Sequence, residues 1–130
     1  MNPVTLELMR ETLAVCKLPP NADAPDWLPN TGFVSLTQTS EELSIVCDQD
    51  AMPDNIEKEE NWRALKVQGK LDFALTGILS SIANPLADAN ISIFAISTFN
   101  TDYVLVQQST LDKALKVLQD AGHTVVDTNS

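Results

Sequence analysis

The side chains best suited to nucleophilic, general-base or metal chemistry in this sequence are one histidine, His123, and two cysteines, Cys16 and Cys47. They do not assemble into a reactive pattern. His123 has no acid or nucleophile at a recognisable spacing, so it has no partner for acid–base work. Two Cys and one His fall short of a four-ligand metal site. Both cysteines follow apolar pairs (Ala-Val-Cys and Ile-Val-Cys), which predicts reduced, buried thiols behaving as small apolar groups; a disulfide requires their strands to be neighbours. No Ser/His/Asp set and no phosphate-cradling glycine loop is visible. A non-covalent site is better supported. Residues 71–77 lead into a helical pattern, and the unpaired N–H groups of a helix start suit a carboxylate. Gly77 allows close backbone approach, or simply helix packing. Thr76 can cap the start. Asp72 offers a carboxylate to a cation, or is a solvated loop acid. Trp27 and Trp62 flank polar segments and are read as covers for the ends of a small core.

Charge and composition narrow the partners. The chain carries 18 acidic and 8 basic side chains, a formal net charge of −10. That field repels phosphate backbones and anionic lipid surfaces, and the basic residues are spread singly. Nucleic-acid and membrane binding are therefore not expected. Hydrophobic residues make up 44% and aromatics 5%, so the core must be largely aliphatic. Residues 1–15 lack a basic n-region and a continuous apolar stretch, and no run approaches spanning length, which predicts a cytoplasmic location.

The second half of the chain has the clearer periodicity. Residues 63–68 read as a strand and 69–76 as a loop. A helix is expected over about 76–89, with Ile78, Leu79, Ile82 and Leu86 on one stripe. Pro85 predicts a kink or a new turn there. Residues 91–99 and 103–107 form a hairpin around Asn100-Thr101-Asp102. Ser109 with Asp112 resembles a capping box opening a second helix. Gly122 stops that helix, and 123–126 is a last strand. Strand, helix, strand, strand, helix, strand is the α+β, ferredoxin-like βαββαβ order, with two helices on one face of an antiparallel sheet. In the first half, 4–8 and 12–18 read as strands, 19–29 as a proline-rich loop, and 32–37 with 43–47 as a hairpin. Residues 51–61 read as a short helix or a linker. This half is expected to be a degraded second copy of the same unit, with 4–8 as its edge strand. The predicted division is 1–61 and 62–130.

The stretches Leu65-Lys-Val-Gln-Gly-Lys-Leu-Asp-Phe-Ala-Leu-Thr-Gly-Ile-Leu79 and Ile93-Phe-Ala-Ile-Ser-Thr-Phe-Asn-Thr-Asp-Tyr-Val-Leu-Val106 resemble the ACT domain. Leu13-Ala-Val-Cys-Lys-Leu-Pro19, Gly32-Phe-Val-Ser-Leu-Thr37 and Glu42-Leu-Ser-Ile-Val-Cys47 resemble short bacterial proteins with tandem ACT-like units. The cytosolic arginine sensor carries related ACT units. The resemblance implies a small-molecule binding, regulatory protein without catalytic activity or cofactor. The implied ligand is an amino acid, and a homodimer is compatible. It places the ligand site at Asp72, Thr76, Gly77 and Ile78 before and at the first helix, and at Thr98, Phe99, Thr101 and Asp102 on the hairpin. Asp102 matches a position whose carboxylate contacts a bound amino acid, which would suit an α-amino acid if backbone donors took the ligand's carboxylate. Thr101 stands where an aromatic is expected and Leu75 where an acid is expected, so arginine specificity is not implied. Asn100 is read as a turn residue. A ligand-free partner module and a small enzyme are the other classes this sequence admits.

Overall fold

In the computed structural model, residues 3–68 and 77–127 are described. The chain forms two compact units, Met1–Arg10 with Arg63–Ser130, and Glu11–Trp62. The first unit holds the βαββαβ order. It comprises the later residues of strand β4 (Glu57–Val67), helix α1 (Ile78–Asp88), strands β5 (Ile93–Ser97) and β6 (Asp102–Gln107), helix α2 (Leu111–Asp120) and strand β7 (Thr124–Asp127). The opening residues of β1 (Thr5–Leu18) join it as a further strand.

The strand order in this unit is β7-β1-β4-β6-β5. β5 and β6 pair antiparallel from Ile93↔Val106 to Ser97↔Asp102. β7 runs parallel to β1, with Thr5↔Thr124 through Leu8↔Asp127 in register. The N-terminal segment thus separates the last strand from the first strand of the βαββαβ set. The sequence placed 4–8 at the edge of the other half; Leu6 and Leu8 instead bury among Leu65, Val67, Val104 and Val106. Strand residues two apart share a face, so these pairs present one apolar surface. Ile82 and Leu86 of α1, and Leu111, Ala114 and Leu118 of α2, cover it at helical spacing. No turn former interrupts Met9-Arg10-Glu11, so β1 runs as one strand where two were expected.

Helix boundaries differ from the expected ones in physically readable ways. α1 starts at Ile78 with Gly77 as its N-cap, not Thr76. It continues through Pro85 as a single helix. It ends at Asp88; beyond the Ala89 cap, Asn90 turns the chain with φ of 60°, and Ile91 N donates back to Leu86 O at 2.9 Å. Lys113 Nζ donates to Ala89 O at 2.9 Å, a cation at a helix C-terminus. The Ser109–Asp112 capping box does not form. Gln108–Thr110 make a 3₁₀ turn, and Thr110 precedes α2 without a side-chain cap. Gly122, at φ 102°, closes α2 as expected, with His123 N donating to Leu118 O at 3.0 Å.

The second unit carries Glu11–Leu18 of β1, β2 (Ser35–Gln38), β3 (Leu43–Asp48) and the opening of β4. β3 pairs antiparallel with β1 from Leu13↔Asp48 to Leu18↔Leu43, and with β2 from Ser35↔Val46 to Gln38↔Leu43. The expected hairpin is present, closed by Thr39 N to Glu42 O at 2.9 Å. Ala14, Cys16, Ile45 and Cys47 form the core, and Ala22, Trp27, Leu28 and Val34 from the proline-rich segment cover it. Neither a helix nor a linker occupies 57–61: β4 begins at Glu57 despite its charges. Strand pairing outweighs local propensity there. At Asn61 the backbone takes φ 70°, and Gln49 holds it with two side-chain hydrogen bonds, Asn61 N to Oε1 at 2.8 Å and Nε2 to Asn61 Oδ1 at 3.3 Å.

Candidate functional site

Residues 98–101 turn the chain between β5 and β6. Thr98 N donates to Thr101 O at 2.8 Å, and the Thr98 hydroxyl donates to the same carbonyl at 3.1 Å. Thr101 is only 3% exposed. Its hydroxyl donates to Val67 O at 2.7 Å, so the turn is fastened to the C-terminal end of β4. Thr101 is therefore committed to the fold through its side chain, by a bond to a residue 34 positions earlier that its flanking sequence does not signal. A threonine is the right residue for it, because its methyl suits burial while its hydroxyl satisfies an orphan carbonyl.

Asp102 opens β6 opposite Ser97, whose hydroxyl donates to Oδ1. Among the described residues, no other donor reaches this carboxylate. Asp102 is half-buried, so its charge is held in place and still reaches solvent. Phe99 stands at the tip of the turn, 71% exposed. The structure thus gathers Thr98, Phe99, Thr101 and Asp102 on one hairpin end, with Thr101 buried and Asp102 and Phe99 presented.

Gly77 has φ 80° and ψ −3°, a left-handed backbone that disfavours any residue with a Cβ. Its carbonyl accepts from Ser81 N at 2.9 Å and Ser80 Oγ at 3.2 Å. Among the described residues no side chain caps the helix, and a helix start leaves its first amides without intrahelical acceptors. Ile78 packs partly against the core. Asp72 and Thr76 lie outside the described residues.

The placement of α1 follows from its connections. The hairpin end of β5 is tied to the C-terminal end of β4 through Thr101 and Val67. The other end of β5 follows α1 after only four intervening residues. An 11-residue helix rises roughly 16 Å, and a five-residue strand spans roughly 17 Å. The two lengths match, so a helix that doubles back along β5 returns its start toward the hairpin end. A fixed carboxylate suits a cationic group and a helix start suits an anionic one, the two charges an α-amino acid presents.

His123 also has a defined setting that spacing alone did not reveal. It is 3% exposed and bonded at both ring nitrogens, to Val4 N at 3.1 Å and Ser81 O at 2.8 Å. The signal was in the sequence: a proline inside an otherwise good helix leaves a carbonyl needing another donor. The cysteines lie on adjacent strands as free, buried thiols. Burial first, then the neighbouring Cys16 and Asp48, pushes the Cys47 thiol up to about 11. Burial raises Cys16 as well, partly offset by a backbone bond from Ile45 and by Lys58. Among the described residues, no three His, Cys, Asp or Glu side chains gather as metal ligands would, and no helix is long and apolar enough to cross a membrane.

Comparison with known proteins agrees with the fold of the first unit. Residues 57–120 match the family model of the ACT domain, and residues 11–55 match a model of an N-terminal domain. The human protein named cytosolic arginine sensor for mTORC1 subunit 1 is 44% identical over 61 residues, which are 46% of this chain and 18% of that protein. This chain therefore spans under a fifth of the sensor's length. A crystal structure of an Agrobacterium tumefaciens protein is 35% identical, with a TM-score of 0.92 over 98% of this chain and 95% of that one. An aspartate kinase from Clostridium acetobutylicum, described as an allosteric enzyme, shares the fold at 16% identity and a TM-score of 0.64, over 93% of this chain and 36% of that one. The sequence match, the βαββαβ order and these neighbours agree that the chain belongs to the ACT domain family.

Proposed function

We propose that this protein binds an amino acid at the α1 and β5–β6 end of its first unit and acts as a regulatory module without a reaction of its own. The observation that carries the reading is Asp102, a half-buried carboxylate fixed by Ser97 at the end where α1 begins. The name of the arginine sensor and the allosteric character of the aspartate kinase support an amino acid as the ligand class. The proposal also takes Glu11–Trp62 as a degraded ACT-like unit in tandem; it is supported by the aspartate kinase likeness extending over 93% of this chain. The proposed location is cytoplasmic.

The test is a thermal-shift panel of the twenty amino acids at millimolar concentration. A ligand at 100 times its Kd stabilises the native state by about 2.7 kcal/mol. At about 4 °C per kcal/mol for a chain of this length, that is a rise of about 10 °C. Asp102→Asn should abolish the rise while leaving the unliganded midpoint within about 2 °C. A panel with no hit removes the amino-acid reading.

A partner-docking role has one observation in its favour: Phe99, a large aromatic at the same hairpin tip, is 71% exposed. The partner proposed for it is a second copy of this chain. Sedimentation of wild type and Phe99→Ser decides this, since a dimer lost in the variant supports it and a monomeric wild type ends it.

A further inference from the structure

Pro85 sits inside α1 and has no amide hydrogen to donate to the Ser81 carbonyl four residues back. That carbonyl lies 2.8 Å from His123 Nε2. The opposite ring nitrogen, Nδ1, accepts from Val4 N at 3.1 Å. An acceptor at Nδ1 fixes the neutral tautomer, so the proton is on Nε2 and is donated to Ser81. Thr124 N donates to Val4 O at 3.0 Å, so both backbone groups of Val4 are taken by consecutive residues. From this geometry we infer that His123 is a positioning residue: it supplies the hydrogen bond Pro85 withholds, and so fixes helix α1, whose start is the proposed binding element, against the β1–β7 pair.

A proline at an interior helical position is unfavourable, in part through the lost hydrogen bond. The Ser81–His123 bond is part-buried, and a carbonyl partly shielded from water loses stability when a donor is taken from it. His123 is 3% exposed, so water does not readily replace its ring. The ring thus joins a helix residue 42 positions before it to a backbone amide 119 positions before it. It anchors the first turn of α1, three residues past Ile78, and therefore the direction in which the Gly77 end points.

This inference rests on the reading of the α1 start as ligand-facing, but it is tested without ligand. The experiment is a two-by-two cycle of His123→Leu and Pro85→Ala in the full chain, followed by urea unfolding. His123→Leu alone should raise the unfolding constant roughly 25-fold, about fivefold per lost hydrogen bond. In the Pro85→Ala background the restored amide donates to Ser81 O, and the same histidine change should cost only about fivefold. Amide exchange in α1 should quicken in His123→Leu and return toward wild-type rates in the double variant. An equal loss in both backgrounds overturns the inference, because His123 would then act only through packing or Val4. Should His123→Leu fail to fold, nitrogen NMR of the wild-type imidazole decides: a proton on Nε2 supports the assignment, and one on Nδ1 refutes it. An amino-acid panel without a hit would leave this outcome untouched, and failure of the cycle would leave the panel's result untouched.

Discussion

Replacing Thr101 by valine isolates one hydrogen bond. The two side chains have the same shape, so the change opens no cavity in a residue that is 3% exposed. It removes the hydroxyl that donates to Val67 O at 2.7 Å. The net value of such a bond is about 1 kcal/mol, and leaving a buried carbonyl without a donor raises the cost to as much as about 3 kcal/mol. At about 4 °C per kcal/mol for a chain of this length, Thr101→Val should lower the midpoint by about 4–12 °C. Thr101→Ser keeps the hydroxyl and loses one methyl, worth about 0.8 kcal/mol, so it should fall by about 3 °C. Scanning calorimetry of the three proteins, with amide exchange on β4 and β6, measures both. The hairpin should exchange faster in the valine variant and near normally in the serine variant. If valine equals wild type, or serine is as damaging as valine, the hydroxyl does not fasten the turn and the placement of Asp102 loses its support.

Gly77→Ala should cost about 1 kcal/mol, because φ of 80° puts a Cβ in the disfavoured left-handed region; urea unfolding reads it as a lower midpoint with unchanged slope. Cys47 is raised to about 11 from 9.0. The unfolded thiol then ionises first, so its stabilising contribution is complete below about pH 9 and is lost as pH rises from 9 toward 11. Between pH 8 and pH 10.5 wild type should lose of order 2 kcal/mol more than Cys47→Ala, which keeps only the raised Cys16. Asn61→Val should destabilise by about 2 kcal/mol through its φ of 70° and the lost bond between Gln49 Nε2 and Asn61 Oδ1, and Asn61→Gly by less than half as much; chemical denaturation of both separates backbone strain from the side-chain bond.

Periodicity revealed what was governed locally. The helices and strands of the first unit followed from stripes such as Ile82 with Leu86 and Leu111 with Leu118, and from Gly122 as a stop. The larger misses had a distant cause. Glu57–Asn61 looks like a charged linker, yet it is a strand because β1 lies beside it. The Val4–Leu8 stretch has a clear alternating pattern, but alternation says which face is buried, not which neighbour is paired. Thr101 lay within the expected turn, and nothing in its flanks indicates a carbonyl 34 residues earlier. The role of Asp102 could be suggested by resemblance; its hydrogen bond to Ser97 follows only from the register of β5 and β6.

The insertion of Thr5–Leu8 between β7 and β4 has a consequence for how the polypeptide acquires its form. The stretch that matches the ACT domain, 57–120, lacks both the strand at its flank and the one beyond it. Excised at those limits, it would leave Leu65 and Val67 without Leu6 and Leu8 across from them, and such a fragment should aggregate. On the ribosome the opening segment must wait for residues 124–127 to emerge before its parallel partner exists. Contacts of such long sequence separation place this chain among slow folders, and its last step should be the closing of that seam.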